Sequence, residues 1–242
     1  MRNRGLLGLT LFMAVGLALL IWLGVWQLNR LDWKDGLITR IETRSQRKPM
    51  TLDEAIAKAK EVRDPSYFRV HAEGRFHHAQ ERHLYAFSLE GEPGWHVITP
   101  LQTVDGEVVL VDRGFVPPSI KDPSSRALGQ ITGVVSVTGL VRMGEQGGIF
   151  TPDNDAQKNR WFSRDLPGMA RSMFPSGTIQ VAPFFIEADD SNVPGGWPDG
   201  GQTRLQIPNN HLQYAITWFS LAAALAILYG VYVHRVYRRE KR

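Results

Sequence analysis

Two long apolar runs stand near the ends of the chain, and short alternating segments fill the space between them. Gly5 to Trp26 (GLLGLTLFMAVGLALLIWLGVW) and Leu212 to Val233 (LQYAITWFSLAAALAILYGVYV) carry no formal charge. At the helical rise each would reach roughly 33 Å, enough to cross bilayer hydrocarbon. A cleaved signal peptide would want a shorter apolar core and a small-residue cleavage site, whereas the first run ends in Trp22, Gly24 and Trp26. The first run is therefore read as an uncleaved anchor. The few residues before it leave no room for an organelle transit peptide, which points to a bacterial protein.

Beyond Trp26 the helical period continues: Trp26, Arg30, Trp33 and Lys34 follow one another at helical spacing, and Leu28, Leu31, Ile38 and Ile41 form an apolar stripe. One continuous helix should leave the membrane and end before Pro49. Thr51 and Glu54 have the spacing of a capping box, opening a short helix to about Val62. The period then changes to two. Phe68–Phe76, His83–Leu89, Trp95–Thr103, Glu107–Asp112, Val134–Val141 and Ile179–Glu187 read as strands between Gly and Pro turns. Ser163–Met173 could hold a short helix starting near Pro167, and Val193–Gly201 reads as a loop. The expected fold is an α+β membrane protein, with two transmembrane helices flanking one β-rich extracytoplasmic domain that carries a few short helices. Its expected segments are 1–4 (cytoplasmic), 5–26 (first span), 27–48 (helical extension), 49–208 (periplasmic domain), 209–233 (second span) and 234–242 (basic cytoplasmic tail).

Charge bears on topology more than on ligands. The chain's net charge is +4, but the tail after the second span alone carries five basic residues and one acid, and Arg2 and Arg4 add two more. The remainder is slightly acidic, so nucleic acid is not an expected partner and membrane lipid is. Five basic residues behind the second span predict a cytoplasmic C-terminus, an N-in, C-in hairpin and a periplasmic central domain. The basic stretch from Arg30 to Lys48 weakens that rule at the first helix, although long domains translocate largely regardless of charge. With no cysteine there is no disulfide frame and no thiolate metal site.

The usual catalytic signatures are missing: no G-x-S-x-G, no H-E-x-x-H, no phosphate loop and no dinucleotide fingerprint. No enzyme activity is expected. His71, His77, His78 and His83 lie close in sequence, but strand spacing does not converge them, and a solvated histidine-rich turn is the expectation. Asp112–Arg113, ending a strand beside Gly114, and Arg164–Asp165 are expected to be salt-bridged corners. His211 differs because it opens the second span behind Pro208, Asn209 and Asn210. A helix N-terminus disfavours imidazolium, and neutral imidazole is the form that ligates iron. On a helix, His211, Tyr214, Ala215 and Trp218 would share a face against which a flat ligand could lie; anchoring or capping at the interface is the plainer role. Trp22 and Trp26 suit an aromatic belt or the wall of a ligand site. Ala222, Ala226 and Gly230, spaced by four, form a small-residue ridge expected to face the first span or a partner.

Several blocks together resemble one family. They are Gly24-x-Trp26-Gln27-x-x-Arg30-x-x-Trp33-Lys34, Gly94-x-x-Val97-Ile98-Thr99-Pro100, Leu110-Val111-Asp112-Arg113-Gly114-Phe115-Val116-Pro117, Pro152-x-Asn154 and Asn159-Arg160-Trp161-Phe162-Ser163-Arg164-Asp165. Gly200-Gly201-Gln202-Thr203-Arg204 and Asn210-His211-Leu212-Gln213-Tyr214-Ala215-Ile216-Thr217-Trp218 complete the series. In order and over nearly the whole chain, they resemble the Surfeit-locus (Surf-one) cytochrome c oxidase assembly protein family. The resemblance implies an inner-membrane chaperone of respiratory-chain biogenesis that helps mature subunit I of a terminal oxidase. It also implies haem a as transient cargo, with His211 as ligand to the haem iron, since some bacterial members are held to bind haem through the matching histidine. Around that ligand the candidate binding residues are Tyr214, Trp218, Trp22 and Trp26 as walls, and Arg30 and Arg204 for the propionates. Cytochrome c oxidase subunit I is the expected partner and haem a synthase a second candidate. Two other readings stay open: a scaffold that stabilises an assembly intermediate without haem, and a membrane-anchored sensor with an external ligand domain.

Overall fold

The structure, a computed structural model, describes residues 2–240, with side chains described over 7–238. Met1, Lys241 and Arg242 lie outside the described residues, as do the side chains of Arg2, Arg4 and Arg239, and with them part of the charge pattern used for topology. The chain forms two compact units, Met1–Arg40 with Gln206–Arg242, and Ile41–Leu205.

The first unit is a pair of helices. Helix α1 is unbroken from Arg2 to Ser45, so the apolar run and its polar extension are one rod, as the continuous period predicts. Its end is tightened by Gln46 N–H donating to Glu42 O and Arg47 N–H to Arg44 O, and Pro49 then disfavours helix at the residue before it. Helix α4 runs His211–Glu240. Both are long and apolar enough to cross a membrane, with mean hydropathies of 2.3 and 1.9 over their apolar windows. They pack through a heptad seam: His211, Ala215, Trp218, Ala222, Leu225 and Tyr229 are buried or half-buried on α4. Opposite them, Gly24 lets α1 approach so closely that a Cβ there would lie 2.6 Å from the Phe219 ring.

The small-residue ridge does not form the seam. Ala222 is buried in it, but Ala226 and Gly230 are exposed, and nothing lies within 4 Å of a Cβ added at Gly230. A four-residue step advances a helix by about 40° past a full turn, so a period of four rotates out of a seam that follows 3.5.

The second unit is a β-domain. Its strands are β1 (Met50–Thr51), β2 (Arg69–Phe76), β3 (Arg82–Phe87), β4 (Pro93–Thr103), β5 (Val108–Val116), β6 (Val135–Arg142) and β7 (Val181–Ala188). Their order is β1-β2-β6-β7-β5-β4-β3, with a further β2–β4 pairing. That pairing closes β2, β6, β7, β5 and β4 into a five-stranded barrel. Strand β4 serves both neighbours because it is long: residues 101–103 pair with β2, and residues 93–98 with β3. Closure needs a residue without a side chain at Gly74, where a Cβ would sit 2.2 Å from the Gln102 carbonyl oxygen.

Inward positions alternate along the strands, Val70 and Ala72, Val109 and Val111, Ala182, Phe184 and Ile186, as the period of two predicts. Helix α2 (Leu52–Glu61) packs Leu52 and Ala55 into this core, and its capping box forms, with Thr51 and Glu54 each bonding the other's backbone N–H. A second apolar layer, with Leu110, Phe185, Trp161 and Met169, covers the outside of β5 and β7 beneath helix α3 (Leu166–Met173). Every residue of β5 is buried, so the strand continues to Val116 and does not end at Asp112.

Candidate functional site

The site begins where α4 begins. Asn209 Oδ1 accepts from the His211 N–H at 3.4 Å, so the first of the two asparagine side chains supplies the cap. The Asn209 Nδ2 group donates to Asp35 Oδ1 at 2.8 Å, a second polar tie between the helices. The His211 ring is half-buried, and its Nδ1 lies 2.6 Å from Gln27 Oε1. An amide oxygen can only accept, so Nδ1 carries the proton and, in the neutral ring, Nε2 keeps its lone pair. This is the arrangement of a metal-ligating histidine oriented through its other nitrogen. With Nε2 as a donor nitrogen, His211 has the chemistry that would hold a haem iron. The sequence places Gln27 within a motif but gives it no role, because it stands where the apolar run of α1 gives way to polar residues such as Asn29 and Arg30.

The other predicted residues are less gathered. Ala215 and Trp218 share the seam face with His211, but Tyr214 is 55% exposed and turns away from it. Trp22 and Trp26, at 62% and 45% exposed, lie on the outer surface of the helix pair. The expected aromatic walls are thus an open face, not a closed pocket. Arg30 places its guanidinium 4.4 Å over the Trp33 ring. Arg204 belongs to the β-domain, where its Nη2 donates to Ser88 O at 3.3 Å.

Within the β-domain the conspicuous charged residues neutralise one another. Asp112 is mid-strand and buried, receiving the His96 Nδ1 proton at 2.8 Å, Arg164 Nη2 at 3.1 Å and the Gly114 N–H at 3.2 Å. Burial alone would raise its carboxyl; the cations His96 and Arg164 outweigh that and bring it down to about 2. The same partnership, against burial, raises His96. Arg164 also donates to Glu187 at 2.6 Å, and Thr203 donates to the other oxygen of that carboxylate at 2.6 Å. The gap beside this network is too small for a water molecule, and the network's bonds fasten strands to one another. Arg113 bonds Gly129 O and lies 4.7 Å from the Phe76 ring centroid, not in a salt-bridged corner; its burial lowers it to about 10. Asp165 likewise is no salt bridge: it caps α3, accepting from Gly168 N–H at 3.0 Å.

The histidine-rich turn also needs correction. His83 is buried, with Nε2 2.8 Å from Glu81 Oε1, and Arg126 reaches the same oxygen. His78 donates to Ile131 O at 2.8 Å, while His77 and His71 bond Gln102 and Thr138. These rings serve as fasteners between strands and loops because each points to a different neighbour. No group of three or more potential metal ligands occurs among the described residues.

The SURF1 family model matches residues 14–223, most of the chain, including the whole β-domain and part of each apolar helix. The chain belongs to the SURF1 family. It is 38% identical over 226 residues to Surfeit locus protein 1 of Gallus gallus, covering 86% of this chain and 69% of that protein. Against Surfeit locus protein 1 of Homo sapiens it is 38% identical over 224 residues, covering 86% and 71%, and against the SURF1-like protein of Monosiga brevicollis 37% over 213, covering 83% and 78%.

The sequence blocks of this SURF1-family chain gather in two places. The blocks around Asp112, Arg164 and Thr203 meet in the β-domain network, with Asp199 exchanging backbone bonds with Phe115. Trp161, 2% exposed, adds its backbone to the free edge of β3 by bonding His83 O and Tyr85 N–H. The blocks around Gln27 and His211 meet in the helix pair.

Proposed function

We propose that this SURF1-family chain is a membrane-anchored assembly factor for a haem–copper terminal oxidase, not an enzyme, and that it carries haem a to subunit I. The observation supporting the cargo is the His211 ring, tied through Nδ1 to Gln27 with Nε2 left as the donor nitrogen. When bound, haem a would bring the redox-active iron that the oxidase core requires. The chain's own part would be to hold that iron through the His211 imidazole and to offer the porphyrin Trp218 on the same face of α4, with Trp22 and Trp26 exposed on α1 and Tyr214 exposed on α4 as further apolar contacts. Arg30 and Lys34, further along α1, supply cationic partners for the propionates. Five basic residues behind the second span support an N-in, C-in hairpin in a bacterial inner membrane, with the β-domain in the periplasm. Subunit I is the proposed receiver and haem a synthase the proposed supplier.

The test is His211→Ala, expressed to wild-type level in cells that make haem a. Loss of the co-purifying haem a spectrum, with membrane insertion intact, is the expected result. A variant that keeps its full haem complement would remove His211 as the ligand. A wild type that carries no haem under these conditions would make the scaffold reading the better one.

A further inference from the structure

We infer that Gln27 is the positioning residue of the site, locking His211 in the Nδ1–H tautomer so that Nε2 remains the lone-pair nitrogen. Its purpose rests on the haem-carrier reading above; its geometry does not. The Nδ1···Oε1 distance of 2.6 Å is a direct, short hydrogen bond, and the acceptor oxygen has no proton to give. Free neutral histidine favours the opposite tautomer, with the proton on Nε2, and that form could not offer Nε2 to a metal. Gln27 is 9% exposed at the end of the apolar run of α1, and a buried amide is costly unless bonded. The heptad seam sets it against the first residue of α4, and the Asn209–Asp35 bond fixes the start of α4 on the same helix. A hydrogen bond at Nδ1 also fixes the orientation of the ring, which aims the opposite nitrogen as a ligand.

The role differs from simple adhesion between helices, because adhesion does not depend on which ring nitrogen carries the proton. The measurement uses the full chain in lipid nanodiscs, labelled with 15N-histidine and free of haem, at a pH where the ring is neutral. Seven histidines contribute, and the His211 pair of resonances is identified by its loss in His211→Ala. In the wild type, Nδ1 should show the protonated shift and Nε2 the unprotonated one. Gln27→Met, close in shape but without the amide oxygen, should move the proton to Nε2, while Gln27→Glu, which keeps an acceptor oxygen, should preserve the wild-type pattern. Titration with haem a should show affinity falling on the order of 10–100-fold in Gln27→Met with helix content unchanged. A wild-type ring protonated on Nε2 overturns the inference. So does a Gln27→Met spectrum identical to wild type, or a tautomer change without loss of haem affinity. If the wild type takes up no haem a, the carrier reading fails by itself, and the 15N pattern still decides whether Gln27 sets the tautomer.

Discussion

In the β-domain, buried Asp112 and Glu187 share Arg164, Asp112 also holds His96, and Glu81 holds His83 and Arg126. In the helix pair the buried amide of Gln27 bonds the half-buried ring of His211. The first arrangement closes on itself: its carboxylates are neutralised by cations of the same domain, and the space beside it admits no water. The second leaves one nitrogen with a lone pair on a unit whose aromatic face is open. Charge density is therefore a poor guide to function in this chain. Where many ionisable groups converge, they are used up in holding a barrel; His211, the proposed ligand, stands apart from that network with Gln27 as its partner.

The comparison breaks most visibly if the β-domain network is cut. Asp112→Ala leaves His96 and Arg164 without their shared carboxylate, and removing one partner of a buried ion pair costs about 3–5 kcal/mol. Hydrogen exchange on the full chain should show β5 and β7 losing protection, while amides in the apolar core of α4 keep theirs. Equal protection of β5 in the variant would mean the network is dispensable.

Acidity should act on the same network with a definite sign. The folded Asp112 value, about 2, lies below its ordinary 3.8, so its contribution is complete above about pH 4 and is lost as pH falls through about 2. His96 is raised above its ordinary 6.5, so its contribution is complete below that value and is lost as pH rises through the folded one. Stability of the β-domain should therefore peak between about pH 4 and 6.5, changing by at most about 1.4 kcal/mol per pH unit for one proton. Thermal melts across pH should show both limbs, and Asp112→Asn should flatten them.

Helix packing offers smaller effects that sharpen the contrast. Gly24→Ala pushes a methyl into the Phe219 ring and should cost about 1–3 kcal/mol of helix-pair association, read by cross-linking between α1 and α4. Ala226→Leu, on the exposed side of α4, should change the protein's own stability by less than about 0.5 kcal/mol. If that variant nevertheless loses oxidase assembly, the Ala226 face docks a partner; unchanged oxidase activity assigns it to lipid.

Much of the architecture was legible from periodicity. The two apolar runs, the unbroken first helix, the capping box at Thr51 and six of the strand segments follow from local patterns of 3.6 or 2, and local patterns determine local backbone. Of the proposed site, the sequence marks His211 by its place at the head of an apolar helix, where capping or anchoring is the plainer role. What the one-dimensional pattern could not contain was pairing across distance. Barrel closure through β2 and β4, the burial of His83, the continuation of β5 past Asp112 and the turning of Ala226 away from the seam all depend on which segments meet. The bond from Gln27 to His211 joins residues 184 positions apart. The chain's own sequence determined that an imidazole would stand at the head of the second span. Only the tertiary structure decided which of its nitrogens is bound and which is left to act, because a tautomer is set by the neighbour that folding supplies.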